Sequence, residues 1–597
     1  MSQNIPFILA VSVAAFYLGY RFYARLIDRV FRPSASNVPP SVAQKDDVDF
    51  VPSKVSVVFS HHFAAIAGAG PIIGPTVALV YGVGPCLGWI VLGSILFGAV
   101  HDYTALLVSM REKGRSMAEV ARLSMGNGAF ALFILFTLFM IILVTASFLS
   151  LTAVSLTSWV PVESLNLPHN QTILRTRVQN GVVEGCIGGI ASTSAIVLTL
   201  FAPLLGFFIY KRNLNTIIAA IVALLVCFLS VGVGISLPVA IKPETWMVLL
   251  TIYCVLAAGL PVWLILQPRD YANSFILFVG ILLLVVGIGI GGAHGIKVEH
   301  PIQNFRFGME KQGMVWPTLF ILIACGAISG FHALVAGGTT SKQCPSEIFA
   351  RRIAYGGMLL EGLLGVVVLL AVASGLSYDS YLSIAYDSAK GAGNPVLAFS
   401  LGMGNLLQRV FHLPVYLGTI FGILMVEGFM ATTLDTAVRL NRYLFEELWG
   451  ILFWRVPWLL KTYWFNAGLS AALMFVLAYY KGWKLIWPVF GTANQLLAAL
   501  TLTTVTIWLV SRGSKIALIT LIPAAVMIAT TTFNLVYLLF KKGGFVDKGD
   551  VVLIGVDLAL LALSVGVIVV AAHSFLAYRT GRRAVTPDRR LASGHAV

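Results

Sequence analysis

Apolar residues run along this chain in long blocks, with short polar stretches between them. Blocks near 5–20, 57–81, 85–109, 129–158, 185–210, 214–237, 246–267, 272–291, 317–338, 353–374, 414–437, 464–480, 484–510, 516–540 and 551–577 each have about the length that crosses a bilayer. None shows the alternating ten-residue signature of a transmembrane barrel. The pattern therefore predicts an all-α polytopic membrane protein with about fifteen transmembrane helices, because only helices and closed barrels satisfy their backbone in hydrocarbon. The first block is expected to be no signal peptide: no basic stretch precedes it, and basic "RFYARLIDRVFRPS" follows it.

The polar stretches carry the topology. Charged residues make up 11% of the chain, against about 25% in soluble globular domains. The net charge of +15 gathers in alternate loops: Arg21 to Arg32, "REKGR" at 111–115, Lys211 and Arg212, Arg269, Lys342 to Arg352, Arg439 to Lys461, Arg512 to Lys515 and the tail. Basic residues in every second loop are a positive-inside signal, so nucleic acid is not the expected partner and anionic lipid headgroups are. The expected orientation is N-terminus outside and C-terminus cytoplasmic. The six cysteines are scattered without a CxxC pair and read as small buried hydrophobes. No polar stretch, including 159–183, 292–316 and 375–413, is long enough for a soluble domain of its own.

Two apolar blocks are interrupted in a similar way. "HHFAAIAGAG" at 61–70 and "GFHALVAGGT" at 330–339 each set histidine beside glycine. Aligning Ala64 with Ala333 also matches Ala67 with Ala336 and Gly68 with Gly337. By loop charge the two blocks run in opposite directions, the arrangement of an inverted-repeat transporter. The chain then divides into an N-terminal helix and basic loop (1–56), a first repeat (57–291), an inverted second repeat (292–577) and a basic cytoplasmic tail (578–597). Broken helices are tolerated in a membrane only where they line protein or water. Their exposed half-helix N-termini suit a carboxylate, and their freed carbonyls suit a cation. The candidate substrate-binding residues are His61, His62, Gly68, Gly70, Gly330, His332, Gly337, Gly338, Thr339 and Thr340. The alternative for the glycines is close helix packing.

Ionisable residues at membrane depth are functional candidates because each is costly to place there. His101, Asp102, Glu361, Glu427 and Asp435 are the candidate proton carriers, since imidazole beside carboxylate can load and release a proton. His101–Asp102 could equally be a satisfied pair, and Asp435 could pair with Arg439 one turn later. Asn494 and Gln495 could be helix–helix glue or ligand contacts. "QPRDY" at 267–271 could cap a helix at a cytoplasmic turn or form a gate. Adjacent histidines on one helix face different ways, and no HExxH, GxSxG or Walker-type sequence occurs. A metalloenzyme and a channel are therefore the weaker classes; no metal site and no cofactor is expected.

Five stretches carry a family resemblance: "HHFAAIAGAGPIIGP" (61–75), "LILQPRDYANSFIL" (264–277), "FILIACGAISGFHALVAGGTTSKQ" (320–343), "TTLDTAVRLNRYLFEE" (432–447) and "WPVFGTANQLLAALTL" (487–502). With them the chain resembles the carbon starvation protein A (CstA) family of bacterial inner-membrane transporters. The resemblance implies secondary transport on a fold related to the amino acid–polyamine–organocation superfamily, with broken helices holding the substrate. It also implies pyruvate or small peptides as substrate and, in some members, coupling to protons; sodium is the alternative coupling ion.

Overall fold

The computed structural model describes residues 4–582 except 47–49, 169–170, 172, 213–214, 261–263, 387–392 and 515. Lys515 and most of the predicted basic tail thus lie outside the described residues. The long elements, labelled in chain order, are α1 (Ile5–Phe31), α2 (Val55–Ile66), α3 (Gly70–Ala78), α4 (Val83–Arg111), α5 (Asn127–Leu156), α6 (Ile187–Gly206), α7 (Thr216–Ser236) and α8 (Pro243–Gly259). They continue as α9 (Leu266–Gly291), α10 (Val315–Gln343), α11 (Glu347–Gly375), α12 (Pro395–Phe411), α13 (Val415–Leu452), α14 (Tyr463–Ser511), α15 (Leu518–Phe540) and α16 (Val551–Arg579).

Twelve helices among the described residues are long and apolar enough to cross a membrane, or thirteen if α2 and α3 form one bent span. This is fewer than the expected fifteen, and the difference arises at two places. α8 has only 17 residues, and the blocks near 464–480 and 484–510 run on without a loop as the 49-residue α14, two helical segments joined across a kink at Gly482. Within α14, Gly482 adopts φ +64° and bends the run, a conformation that glycine takes without a Cβ penalty. A third departure lies in 375–413, read as polar connection, where α12 forms. Its start is chemically marked: Asn394 Oδ1 accepts from the Leu397 N–H at 3.0 Å, and Pro395 occupies the first turn, where its missing N–H is harmless. The stretch 159–183 contributes to a small antiparallel sheet, β1 (Val160–Pro161), β2 (Thr176–Gln179) and β3 (Val182–Gly185), in the order β1-β3-β2.

Burial sorts the helices into centre and rim. The apolar windows of α10, α13 and α14 are each 89% buried, whereas those of α7 and α16 are 28% buried. Ile217, Ile221, Leu225 and Phe228 of α7 stand exposed on that rim, an apolar face that lipid covers without a hydrophobic penalty. α14 packs along α5 and α15, α13 packs on α12 and α5, and α3 is enclosed by α10, α11 and α12.

Candidate functional site

Each of the two interrupted blocks is broken in the structure, and the two breaks touch each other. α2 ends at Ile66, α3 begins at Gly70, and their axes differ by 43°. α10 unwinds from Ala324, at φ +34°, to Gly330 before the chain resumes as a helix at Phe331. A Cβ on Gly70 would lie 2.5 Å from Cys325 Sγ, and one on Gly74 would lie 2.7 Å from the Leu322 and Ile323 carbonyl oxygens. Only glycine at these positions lets the two broken helices meet.

The position of the second break corrects the sequence reading. Gly337, Gly338, Thr339 and Thr340 do not form it: Ala336–Thr340 is a π-helical turn, and Thr339 Oγ1 donates back to the Val335 carbonyl at 2.9 Å. The break lies upstream because α14 holds it open there. Asn494 Oδ1 accepts from the Phe331 N–H at 3.1 Å, and the Asn494 carbonyl accepts from the Gly330 N–H at 3.0 Å. Asn494 Nδ2 donates to Cys325 Sγ at 3.2 Å, and Gln495 Nε2 donates to the Phe320 carbonyl at 2.7 Å. Asn494 and Gln495 are therefore helix–helix glue, supplying partners to backbone groups that hydrocarbon would leave orphaned. The repeat alignment that matches Ala64 with Ala333 is likewise not the register of the breaks. His62 precedes the first break, whereas His332 follows the second.

Four predicted residues come together beside the breaks. Asp102 on α4 is held through both oxygens, by His101 Nδ1 at 2.7 Å and His332 Nδ1 at 2.8 Å. His332 Nε2 faces Glu361 Oε2 of α11 at 3.2 Å. All four side chains are fully buried. His62 is also fully buried, and its Nδ1 lies 2.8 Å from Thr340 Oγ1. His61 is half-buried and makes none of these contacts, because neighbouring positions on a helix point about 100° apart. Gly68 lies beside Thr433 of α13, whose Oγ1 would be 3.3 Å from an added Cβ. Gly330 packs on Leu497 and Ala498 of α14. Gly337 approaches the Arg115 carbonyl, and Gly338 approaches Leu440; these two glycines are packing positions.

Asp435 and Glu427 lie apart from this cluster. Asp435 does not pair with Arg439: its Oδ2 takes Arg269 Nη2 and the Tyr253 hydroxyl, each at 2.9 Å. Arg439 instead donates to the carbonyls of Ala257 at 3.1 Å and Leu260 at 2.6 Å. "QPRDY" accordingly contributes a buried arginine to the molecule's interior. Its Arg269 is 3% exposed and its Asp270 is 7% exposed. All six cysteines are free and buried. Among the described residues, no group of three or more His, Cys, Asp or Glu is arranged to hold a metal ion.

A helical membrane bundle whose two broken helices meet beside a buried cluster of carboxylates and imidazoles has the construction of a secondary transporter. Residues 4–392 and 378–534 match the family described as carbon starvation protein CstA. The chain belongs to that family. It is 31% identical over 579 residues to the peptide transporter CstA of Mycobacterium tuberculosis (strain ATCC 25618 / H37Rv), covering 85% of this chain and 72% of that protein. It is 29% identical over 622 residues to the pyruvate/proton symporter BtsT of Escherichia coli (strain K12), covering 89% and 81% respectively. Among solved structures, a manganese transporter of Eremococcus coleocola overlaps 91% of this chain and 100% of its own at TM-score 0.47 and 11% identity.

Proposed function

We propose that this protein is a proton-coupled symporter that imports small carboxylate-bearing nutrients, pyruvate or short peptides, across a bacterial cytoplasmic membrane. The observation that carries this reading is the Asp102 carboxylate bridged by His101 and His332, with Glu361 behind it, at the meeting point of the broken helices. A fully buried chain of imidazole and carboxylate can accept one proton and pass it along with little movement. It joins α4, α10 and α11, so its charge state bears on how these helices pack. The cluster favours the proton over sodium as coupling ion, because imidazole nitrogen binds protons well and sodium poorly. The names of the relatives support pyruvate and peptides as the substrate class. In this reading the N-terminus is outside, the C-terminus is cytoplasmic, and residues 57–291 and 292–577 are the two halves that move against each other.

The test is labelled pyruvate uptake into proteoliposomes under an inward proton gradient, with unlabelled di- and tripeptides as competitors. Concentrative uptake that peptides leave untouched identifies a pyruvate symporter; labelled peptide accumulating instead identifies a peptide importer. His332→Ala is expected to abolish concentrative uptake while the folded protein remains in the membrane. Wild-type uptake in that variant would remove His332 from the transport path.

A further inference from the structure

A second buried constellation lies beside the first break, and the mechanism above leaves it unused. Its centre is Arg269 of α9. The guanidinium donates through Nη1 to the Tyr253 hydroxyl of α8 and through Nη2 to Asp435 Oδ2 at 2.9 Å and Thr432 Oγ1 at 3.3 Å, both on α13. Its Nε is buried with no hydrogen-bond partner. Asp270 lies 4.0 Å from Nη2 and accepts from Thr432 Oγ1 at 2.8 Å, and Glu427 lies within the guanidinium's electrostatic reach. One guanidinium therefore serves three buried carboxyl groups and still keeps an unused donor. Arg439, one turn along α13, is different: it spends its Nη2 on two backbone carbonyls at the end of α8, which is a structural tie.

The location joins this arginine to the break. Thr433, next to Thr432 on α13, has a buried hydroxyl without a hydrogen-bond partner that faces Gly68. The Arg269 network and the unwound backbone of the first broken helix thus meet α13 at consecutive residues, Thr432 and Thr433. A planar guanidinium binds a carboxylate through two parallel N–H donors, which lysine or histidine cannot do.

We propose that Arg269 is a carboxylate-binding subsite at which the substrate carboxylate replaces Asp435. The Arg269–Asp435 hydrogen bond breaks, a proton from the aqueous side forms an O–H bond on Asp435, and the substrate carboxylate takes the vacated donors. One negative charge leaves the guanidinium and one arrives, so each carboxylate enters with one proton. The titratable groups facing Asp435 are Tyr253 and Cys254 of α8, Arg269 and Asp270 of α9, and Arg439 on its own helix. This inference rests on the reading that the substrate bears a carboxylate; it adds the residue that meets it.

The experiment measures binding and uptake of labelled pyruvate and of alanyl-alanine, with alanyl-alanine amide as the carboxylate-free control, by the full-length protein. The variants are R269Q, R269K, D435N and the double variant R269Q/D435N, each checked by thermal melting. In the wild type, affinity is expected to fall about tenfold per pH unit above the titration of Asp435, as one linked proton requires. D435N is expected to lose that pH dependence, R269Q to lose binding, and R269K to recover part of it. The amide is expected not to compete. The double variant removes both charges together and is expected to fold yet remain unable to bind. A double variant that regains wild-type uptake would reduce Arg269–Asp435 to a structural ion pair and overturn the inference alone. Wild-type vesicles that accumulate neither substrate would overturn the transport reading, and this one with it.

Discussion

Asp102 has two carboxylate oxygens, and the fold gives each a different histidine. One of these, His101, is its sequence neighbour, so half of the pairing could be read from "AVHDYTALL". The other, His332, is 230 residues away, and no local pattern connects the two. Asp435 shows the same limit from the opposite side. The spacing to Arg439 satisfies the helical i,i+4 rule, yet Arg439 turns to backbone carbonyls of α8 and a guanidinium from α9 takes the carboxylate. Local spacing states which pairs are possible; competing partners on other helices choose among them. Asn494 is the residue whose role the structure defines most sharply. Asn494→Ala would leave the Phe331 amide buried without an acceptor, a loss of about 1–3 kcal/mol. A lowered melting temperature in detergent is the expected result, and Asn494→Asp is expected to melt low as well, because it keeps the acceptor but buries an unpaired carboxylate and loses the Nδ2 donor. Unchanged melting in both variants would mean that the second break needs no support from α14.

Among elements, the two broken helices were legible as glycine and proline within apolar blocks, because little else interrupts hydrophobic runs in a membrane segment. The exact position of the second break was not legible. "AGGT" is the more conspicuous glycine cluster, but it stays helical, and the chain unwinds at "ACGAISG", where α3 and α14 supply contacts. Glycine permits a break; the neighbours decide where it falls. The contact between the breaks gives a direct test. Gly70→Ala would force a methyl group against Cys325, and overpacking of this kind costs about 1–3 kcal/mol. Cys325→Gly in the same chain is expected to restore much of the lost melting temperature, since it removes the opposing side chain. If the double variant melts no higher than Gly70→Ala alone, the two breaks do not meet there. α12 was missed because its composition is mixed, although Asn394 and Pro395 mark its start in the sequence.

At the scale of the whole molecule, stability depends on joints outside the membrane as well as on the bundle. His300, in the connection between α9 and α10, is 2% exposed and donates from Nε2 to the Leu376 carbonyl at 3.0 Å, just past α11. Burial lowers its pKa from the ordinary 6.5 to about 4. Between these values the unfolded chain binds a proton that the folded chain refuses, so stability rises with pH through that window and is lost as pH falls from 6.5 toward 4. Melting curves across this range should show the decline, and His300→Gln should flatten it; an unchanged profile would place the sensitivity elsewhere. The sequence alone determined the helical membrane class and the central part played by two interrupted spans. It also named some of the buried charges, such as Asp102 and Glu361, but not Arg269 or Asp270. Those features follow from the energy of placing backbone and charge in hydrocarbon, which acts residue by residue. Tertiary structure decided where the second break falls, which carboxylate meets which cation, and how fully α14 supports the site. These depend on contacts between segments far apart in sequence, where several partners are chemically acceptable and only packing selects one.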